Sequence, residues 1–168
     1  MQPFTFTYGP RVLATATGAA ELPSLLPDGP VLFVTDDQLV DLGLAAPWIG
    51  ELEQTRPVTL FSAVEADPSK ATLLAAVEAG RGAGVKSVVG FGGGSPMDVA
   101  KLAAYLLGSG DDLDSIWGVE VATGAKLALV LVPTTAGTGS EATPISVITV
   151  PGGTKLAVNA RAITADLA

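Results

Sequence analysis

The sequence predicts an α/β fold: a Rossmann-like, doubly wound, mostly parallel sheet with an N-terminal antiparallel strand pair. Three observations predict it. Short runs rich in Val, Leu and Ile recur along the chain, of the length and apolarity of strands buried on both faces. Segments with helical periodicity separate them, the alternation that builds a parallel sheet. One run passes into a helix through Gly92-Gly93-Gly94, a junction almost free of side chains.

The predicted strands are 31–35, 58–61, 86–91, 127–132 and 145–150, and the predicted helices are 38–44, 48–54, 69–83 and 96–107. In the last helix Val99, Leu102, Ala103, Leu106 and Leu107 recur at spacings of three and four, which makes an apolar stripe against the sheet. Gly108 and Gly110 follow as stop signals. Residues 4–8 and 11–14 alternate around Gly9-Pro10 as an antiparallel pair at a sheet edge.

With 168 residues, 48% of them hydrophobic, and a mean hydropathy of +0.49, the chain has material for one domain with a large core. The 20 glycines and 12 prolines punctuate periodic segments and form no linker or repeat. A formal charge of −8, with nine dispersed Lys and Arg, argues against nucleic acid as partner, so any bound phosphate must be held by backbone. No run is long enough to span a bilayer, and the N-terminus shows no basic patch before an apolar stretch, so no membrane partner is expected. The absence of cysteine rules out disulfides and thiolate chemistry in these residues and fits a cytoplasmic setting. The absence of histidine removes the commonest neutral-pH base and the commonest transition-metal ligand.

Glycines bring main-chain N–H groups close to a phosphate, and the helix behind them adds the positive end of its dipole. Gly92, Gly93, Gly94 and Ser95 are therefore candidates for holding a phosphate-bearing cofactor. The same stretch also fits a tight strand-to-helix corner, with Ser95 as N-cap, Pro96 in the first turn and Asp98 reaching back as in a capping box. Three successive glycines exceed what a corner needs. The pattern is neither Gly-x-Gly-x-x-Gly nor an NTPase loop with Gly-Lys-Ser/Thr.

Asp36 ends the first core strand, where a carboxylate can accept hydrogen bonds from ribose hydroxyls and repel a 2′-phosphate, favouring NAD over NADP. Asp36, or Asp37 beside it, also fits a cap for the following helix. Residues 133–141 follow another apolar strand and carry four hydroxyls and two glycines. Thr134, Thr135 and Thr138 suit binding a diphosphate or carboxamide better than breaking a bond, and capping the next element is the plainer use of such a loop. Lys155 adds a charge near the same crevice or sits in a solvated turn.

Together, Gly92-Gly93-Gly94-Ser95-Pro96-Met97-Asp98-Val99-Ala100-Lys101 and Pro133-Thr134-Thr135-Ala136-Gly137-Thr138-Gly139-Ser140-Glu141 resemble the iron-containing (group III) alcohol dehydrogenases. Their wider superfamily takes in glycerol dehydrogenase and dehydroquinate synthase. The likeness runs through essentially the whole chain. It implies an NAD-binding N-terminal domain over residues 1–168, in which Asp36 reads the adenosine ribose, Gly92 to Ser95 hold the pyrophosphate and Asp98 steadies that helix. It also implies that Thr134, Thr135 and Thr138 line the crevice, with Val147 and Lys155 near the nicotinamide ribose.

In that family a divalent metal, iron or zinc, sits on an aspartate and three histidines in a C-terminal helical domain, which is absent from these residues. Asp166 does not match that aspartate, whose position lies beyond Ala168. The resemblance thus implies hydride transfer between NAD and an alcohol or aldehyde in the complete enzyme, and no turnover by this chain alone. It also implies a homodimer formed through the N-terminal strands. Two alternatives stay open: a glycerol, maleylacetate or phosphonoacetaldehyde type of reductase, and a non-catalytic nucleotide-binding or dimerisation module.

Overall fold

The structure is a computed structural model that describes residues 9–168. Four strands, β1 (Val31–Val34), β2 (Val58–Phe61), β3 (Ser87–Gly92) and β5 (Ala128–Pro133), form a wholly parallel sheet in the order β2-β1-β3-β5. The chain builds β2 on one side of β1 and then crosses to place β3 on the other. The strand order therefore reverses between β1 and β3, which opens a crevice beyond their carboxyl ends.

Alternation along these strands separates two cores. Leu32, Val34, Val88, Leu129 and Leu131 face α4 (Lys70–Gly82) and α5 (Gly94–Ser109). Val31, Phe33, Val89, Phe91 and Val130 face α1 (Gly18–Leu25) and α3 (Ala46–Glu53), with α2 (Asp37–Asp41) as a short turn between β1 and α3. Both faces are thus buried, as the continuous apolar runs require. Helix α5 lies close on β3 because Gly90 has no side chain; a Cβ there would come within 2.6 Å of the Ala100 Cβ and 2.7 Å of the Leu131 Cδ2.

A second, smaller sheet of order β4-β7-β6 covers the side of α5. Strands β6 (Ile145–Thr149) and β7 (Lys155–Asn159) are antiparallel, and β4 (Gly118–Val119) pairs in parallel with β7. The expected strand 145–150 is present, but it belongs to this hairpin. Its side chains alternate in burial, with Ser146 and Ile148 inward, where a fully buried parallel strand would bury both faces. Gly152 and Gly153, at φ +93° and +81°, make the turn that sends β7 back, so Lys155 begins a strand instead of lying in the turn.

Helices α1, α3 and α5 depart from the periodicity reading at their starts, α3 by beginning at Ala46, while α4 keeps to it. Ser69 caps α4 through the Thr72 N–H, as expected for a helix from 69. Helix α1 is not foreshadowed by periodicity, since Pro23 lies within it. Helix α5 begins two residues before Pro96. Its other end matches expectation: Gly110 closes it in the left-handed conformation at φ +76°.

Of the expected N-terminal strand pair, residues 4–8 lie outside the described residues. The other half pairs elsewhere: Arg11 bridges Leu167 in parallel, its N–H donating to the Asp166 carbonyl, and Leu13 N–H donates to the Ala168 carbonyl. Leu167 in turn bridges Val130 of β5, so the last residues extend the sheet between β5 and the Arg11 segment. No helix among the described residues is long and apolar enough to cross a membrane.

Candidate cofactor-binding site

The junction after β3 is built for close approach. Gly92 takes φ +147°, a conformation that disfavours other residues, and a Cβ on it would lie 2.8 Å from Pro96 Cγ. The chain then turns at once into α5 with Gly93 as extended N-cap, and no side chain caps the helix. The first-turn amides of a helix have no acceptor within the helix, so those of Gly94 and Ser95 remain available. Gly93, Gly94 and Ser95 are half-buried between buried Gly92 and buried Pro96.

This corrects the capping-box reading. Because the helix starts at Gly94, Ser95 lies inside the first turn and cannot cap it, and Asp98 is two residues too deep to reach back. Pro96 does stand in the first turn, where its missing N–H leaves no gap in the helix ladder.

Two clefts meet at this helix end. The larger, of about 560 Å³, is lined by Asp36, Glu65, Gly93, Gly94, Ser95 and Thr134, among others. Its floor is the bridge between Asp36 and Ala63. Asp36 Oδ1 accepts the Leu39 N–H at 2.9 Å, so this carboxylate caps α2, the plainer of the two uses considered for it. The residue still lines the cleft, with its second oxygen outside that bond. The smaller cleft, of about 300 Å³, shares Gly94 and Ser95 and adds Asp98, Val147, Thr149 and Lys155. Across its mouth Lys155 Nζ meets Asp67 Oδ1 at 2.6 Å, both side chains more than half exposed.

The threonine loop walls the larger cleft through Thr134 and Thr135. Thr134 N–H donates to the Gly92 carbonyl at 2.9 Å. Cβ atoms built on Gly93 and Gly94 would lie 3.4 Å from Thr135 Oγ1 and 3.4 Å from Thr138 Cγ2 respectively. Of the residues singled out in the sequence, Asp36, Gly93, Gly94, Ser95, Thr134 and Thr135 line the larger cleft, Gly94, Ser95, Asp98, Val147 and Lys155 line the smaller, and Gly92 and Thr138 line neither.

Sequence reasoning missed the brace beneath the groove. Asp98 Oδ1 accepts from Ser140 Oγ at 2.6 Å, Oδ2 accepts from the Val147 N–H at 2.9 Å, and its carbonyl accepts from Ser146 Oγ at 2.9 Å. Lys101, fully buried, donates to Ser140 Oγ at 2.8 Å and to the Ile145 carbonyl at 2.7 Å, with Asp98 Oδ1 at 3.6 Å. Burial pushes the Lys101 ammonium down to about 8 from its ordinary 10.5, against the pull of Asp98 and then Glu141. The i, i+3 spacing of Asp98 and Lys101 puts them on one face of α5, a signal visible in the sequence. Their partners lie some forty residues away, and nothing local announces them.

Among the described residues no three His, Cys, Asp or Glu side chains gather as a metal site.

The comparisons agree with this geometry. Residues 10–168 match the family described as iron-containing alcohol dehydrogenase. The chain is 33% identical over 129 residues to a sulfoacetaldehyde reductase of Bilophila wadsworthia, covering 73% of this chain and 32% of that protein. It is 38% identical over 122 residues to long-chain-alcohol dehydrogenase 1 of Geobacillus thermodenitrificans, covering 70% and 31% respectively. Among solved structures, sulfoacetaldehyde reductase from Bifidobacterium kashiwanohense in complex with NAD+ superposes with a TM-score of 0.83 at 26% identity, over 99% of this chain and 46% of that one. The chain therefore spans about a third of the length of these curated relatives. On the family match, the shared fold and the two glycine- and threonine-rich loops, the chain belongs to the iron-containing alcohol dehydrogenases.

Proposed function

We propose that residues 1–168 form the NAD-binding domain of an alcohol or aldehyde oxidoreductase. The observation that carries this reading is the uncapped N-terminus of α5, set between two clefts that share Gly94 and Ser95. A dinucleotide is two nucleosides joined at a pyrophosphate, and this arrangement offers donors at the junction and a recess on each side. The amides at Gly93 to Ser95 hold the pyrophosphate, with the helix dipole favouring its charge. Asp36 accepts from the adenosine ribose while it caps α2, and with Asp37 and Glu65 it makes that cleft hostile to a 2′-phosphate. The other nucleoside extends toward Val147 and Lys155, whose ammonium exchanges Asp67 for the ligand's hydroxyls.

Bound NAD supplies a hydride acceptor; the residues here orient it and shield one side. Asp98 holds β6 against α5 through the Val147 N–H, which fixes the wall beside the nicotinamide end. The described residues offer no donor set for the family's divalent metal. The chemistry on an alcohol or aldehyde belongs to the complete protein, and the chain alone is expected to bind NAD without turning over alcohol. Its similarity to sulfoacetaldehyde reductases as well as alcohol dehydrogenases keeps small aldehydes among the substrates. A cytoplasmic location and a homodimer through the N-terminal strands complete the proposal.

Calorimetric titration tests it. The purified chain is expected to bind NAD at least about tenfold more tightly than NADP, the discrimination that one charge repulsion provides. No detectable NAD binding would overturn the assignment, and equal affinities would remove Asp36 as selector. Alcohol-dependent NAD reduction by residues 1–168 would overturn the expected inactivity.

A further inference from the structure

The brace under the groove has a function beyond holding the fold together. We propose that Lys101 is a positioning residue for the cofactor: its ammonium clamps the end of the threonine loop and the start of β6 onto α5 and so sets the width of the smaller cleft, which Val147 of β6 lines. The inference rests on the NAD-binding reading above.

Lysine is almost never buried completely without a reason in its partners. Here the ammonium reaches two points that bracket the loop's return: Ser140 Oγ at its end and the Ile145 carbonyl at the start of β6. Ser140 then passes the connection to Asp98, and its own N–H donates to Thr138 Oγ1 at 3.3 Å. Thr138 is the residue that overhangs Gly94. A chain of contacts therefore runs Lys101, Ser140, Thr138, Gly94, from the helix interior to the phosphate-facing amides. Lys101 touches neither cleft, since it lines neither one and is sealed from solvent. It acts on the ligand only through the loop.

The adenosine side is built differently. Asp36, Leu39 and Glu65 sit on segments after β1 and β2, and Thr134 and Thr135 stand at the start of the loop, where Thr134 is tied to the Gly92 carbonyl; the ammonium contacts none of these residues. Loosening Lys101 is thus expected to affect a ligand that fills both clefts more than one that fills only the larger. The ionisable groups acting on the ammonium are Asp98 on its own helix and Glu141 on the loop, whose Oε2 is buried without a hydrogen-bond partner among the described residues. β6 offers it the Ile145 carbonyl and no ionisable side chain. Both charged neighbours are acidic, so the clamp is tightest while the lysine is protonated.

The experiment compares NAD and ADP as probes, by calorimetry, on the unaltered chain and on Lys101→Met, with circular dichroism to confirm folding. The expected result is a loss of about tenfold or more in NAD affinity with less than about threefold in ADP affinity, the scale of one charge-assisted hydrogen bond. The unaltered chain should also lose about tenfold in NAD affinity from pH 7 to pH 9.5, while Lys101→Met stays flat. NAD has no group that titrates in that range, and the α-amino group is common to both proteins. Equal losses for NAD and ADP would mark Lys101 as merely structural and overturn the inference. So would a pH-independent NAD affinity of the unaltered chain, a result that needs no variant to fold. Failure of the unaltered chain to bind NAD at any pH would overturn both this inference and the reading beneath it. NAD binding that Lys101→Met leaves unchanged would overturn this one alone.

Discussion

The two sides of helix α5 meet the groove by different physical means. On the side of the larger cleft, donors and acceptors come from short-range geometry: a glycine turn, a bare helix N-terminus and Asp36 capping the next helix three residues on. On the loop side, every element is held by contacts across about forty residues, from Asp98 and Lys101 to Ser140, Ile145, Ser146 and Val147. The comparison teaches that one half of the groove is preorganised by local backbone and the other by a buried charge network. The first should tolerate side-chain changes in stability terms, and the second should not.

Breaking the network has the largest expected effect. Asp98→Ala leaves the Lys101 ammonium buried beside only Glu141 and orphans the Val147 N–H, and removing one partner of a buried pair costs about 3–5 kcal/mol. Thermal unfolding is expected to show a fall in Tm of more than ten degrees; a fall of only a degree or two would show that the network carries no load. Asp36→Ala removes a cap and costs about 0.5–2 kcal/mol in stability by denaturant unfolding, while NAD affinity falls and the preference over NADP disappears. The smallest effect belongs to Lys155→Ala. Its bond to Asp67 is exposed on both sides, so the expected loss is below about 1 kcal/mol and is further reduced by salt.

Titration sharpens the same contrast. The folded-state pKa of Lys101, about 8, lies below its ordinary 10.5, so between those values the unfolded chain binds more protons than the native one. The cost of burying this ammonium is therefore fully present below pH 8 and is relieved as pH rises toward 10.5. Unfolding free energies of the unaltered chain minus those of Lys101→Met are expected to rise across that window. A flat difference would mean that the ammonium is better solvated than its burial indicates. Stability and ligand affinity are thus expected to move in opposite directions above pH 8, since the proposed clamp needs the proton that the fold sheds.

Local signals made the side of the larger cleft legible in the sequence. The apolar runs located all four parallel strands; β1 and β3, buried on both faces, are nearly apolar throughout, and the edge strand β2 is apolar although only half-buried. The glycine triplet located the turn from β3 into α5, although α5 starts earlier than Ser95 and Pro96 suggested, since Gly93 itself takes the extended cap conformation. Residues 145–149 carried an apolar composition that concealed their half-exposed, antiparallel character, and only the turn at Gly152 and Gly153 discloses the hairpin. Lys101 stood inside a motif noted for its glycines. A lysine in a helix is ordinarily a surface residue, and its burial follows from a loop and strand that local periodicity cannot place against it.

The central claim is that main-chain amides at Gly93, Gly94 and Ser95 hold the pyrophosphate. The most direct measurement is the amide chemical-shift response of the 15N-labelled chain to NAD. The account predicts the largest shifts at Gly93, Gly94 and Ser95, with smaller ones at Leu39 behind Asp36 and at Val147 and Lys155 on the far side. Saturable NAD binding that leaves those three amides unmoved would contradict it.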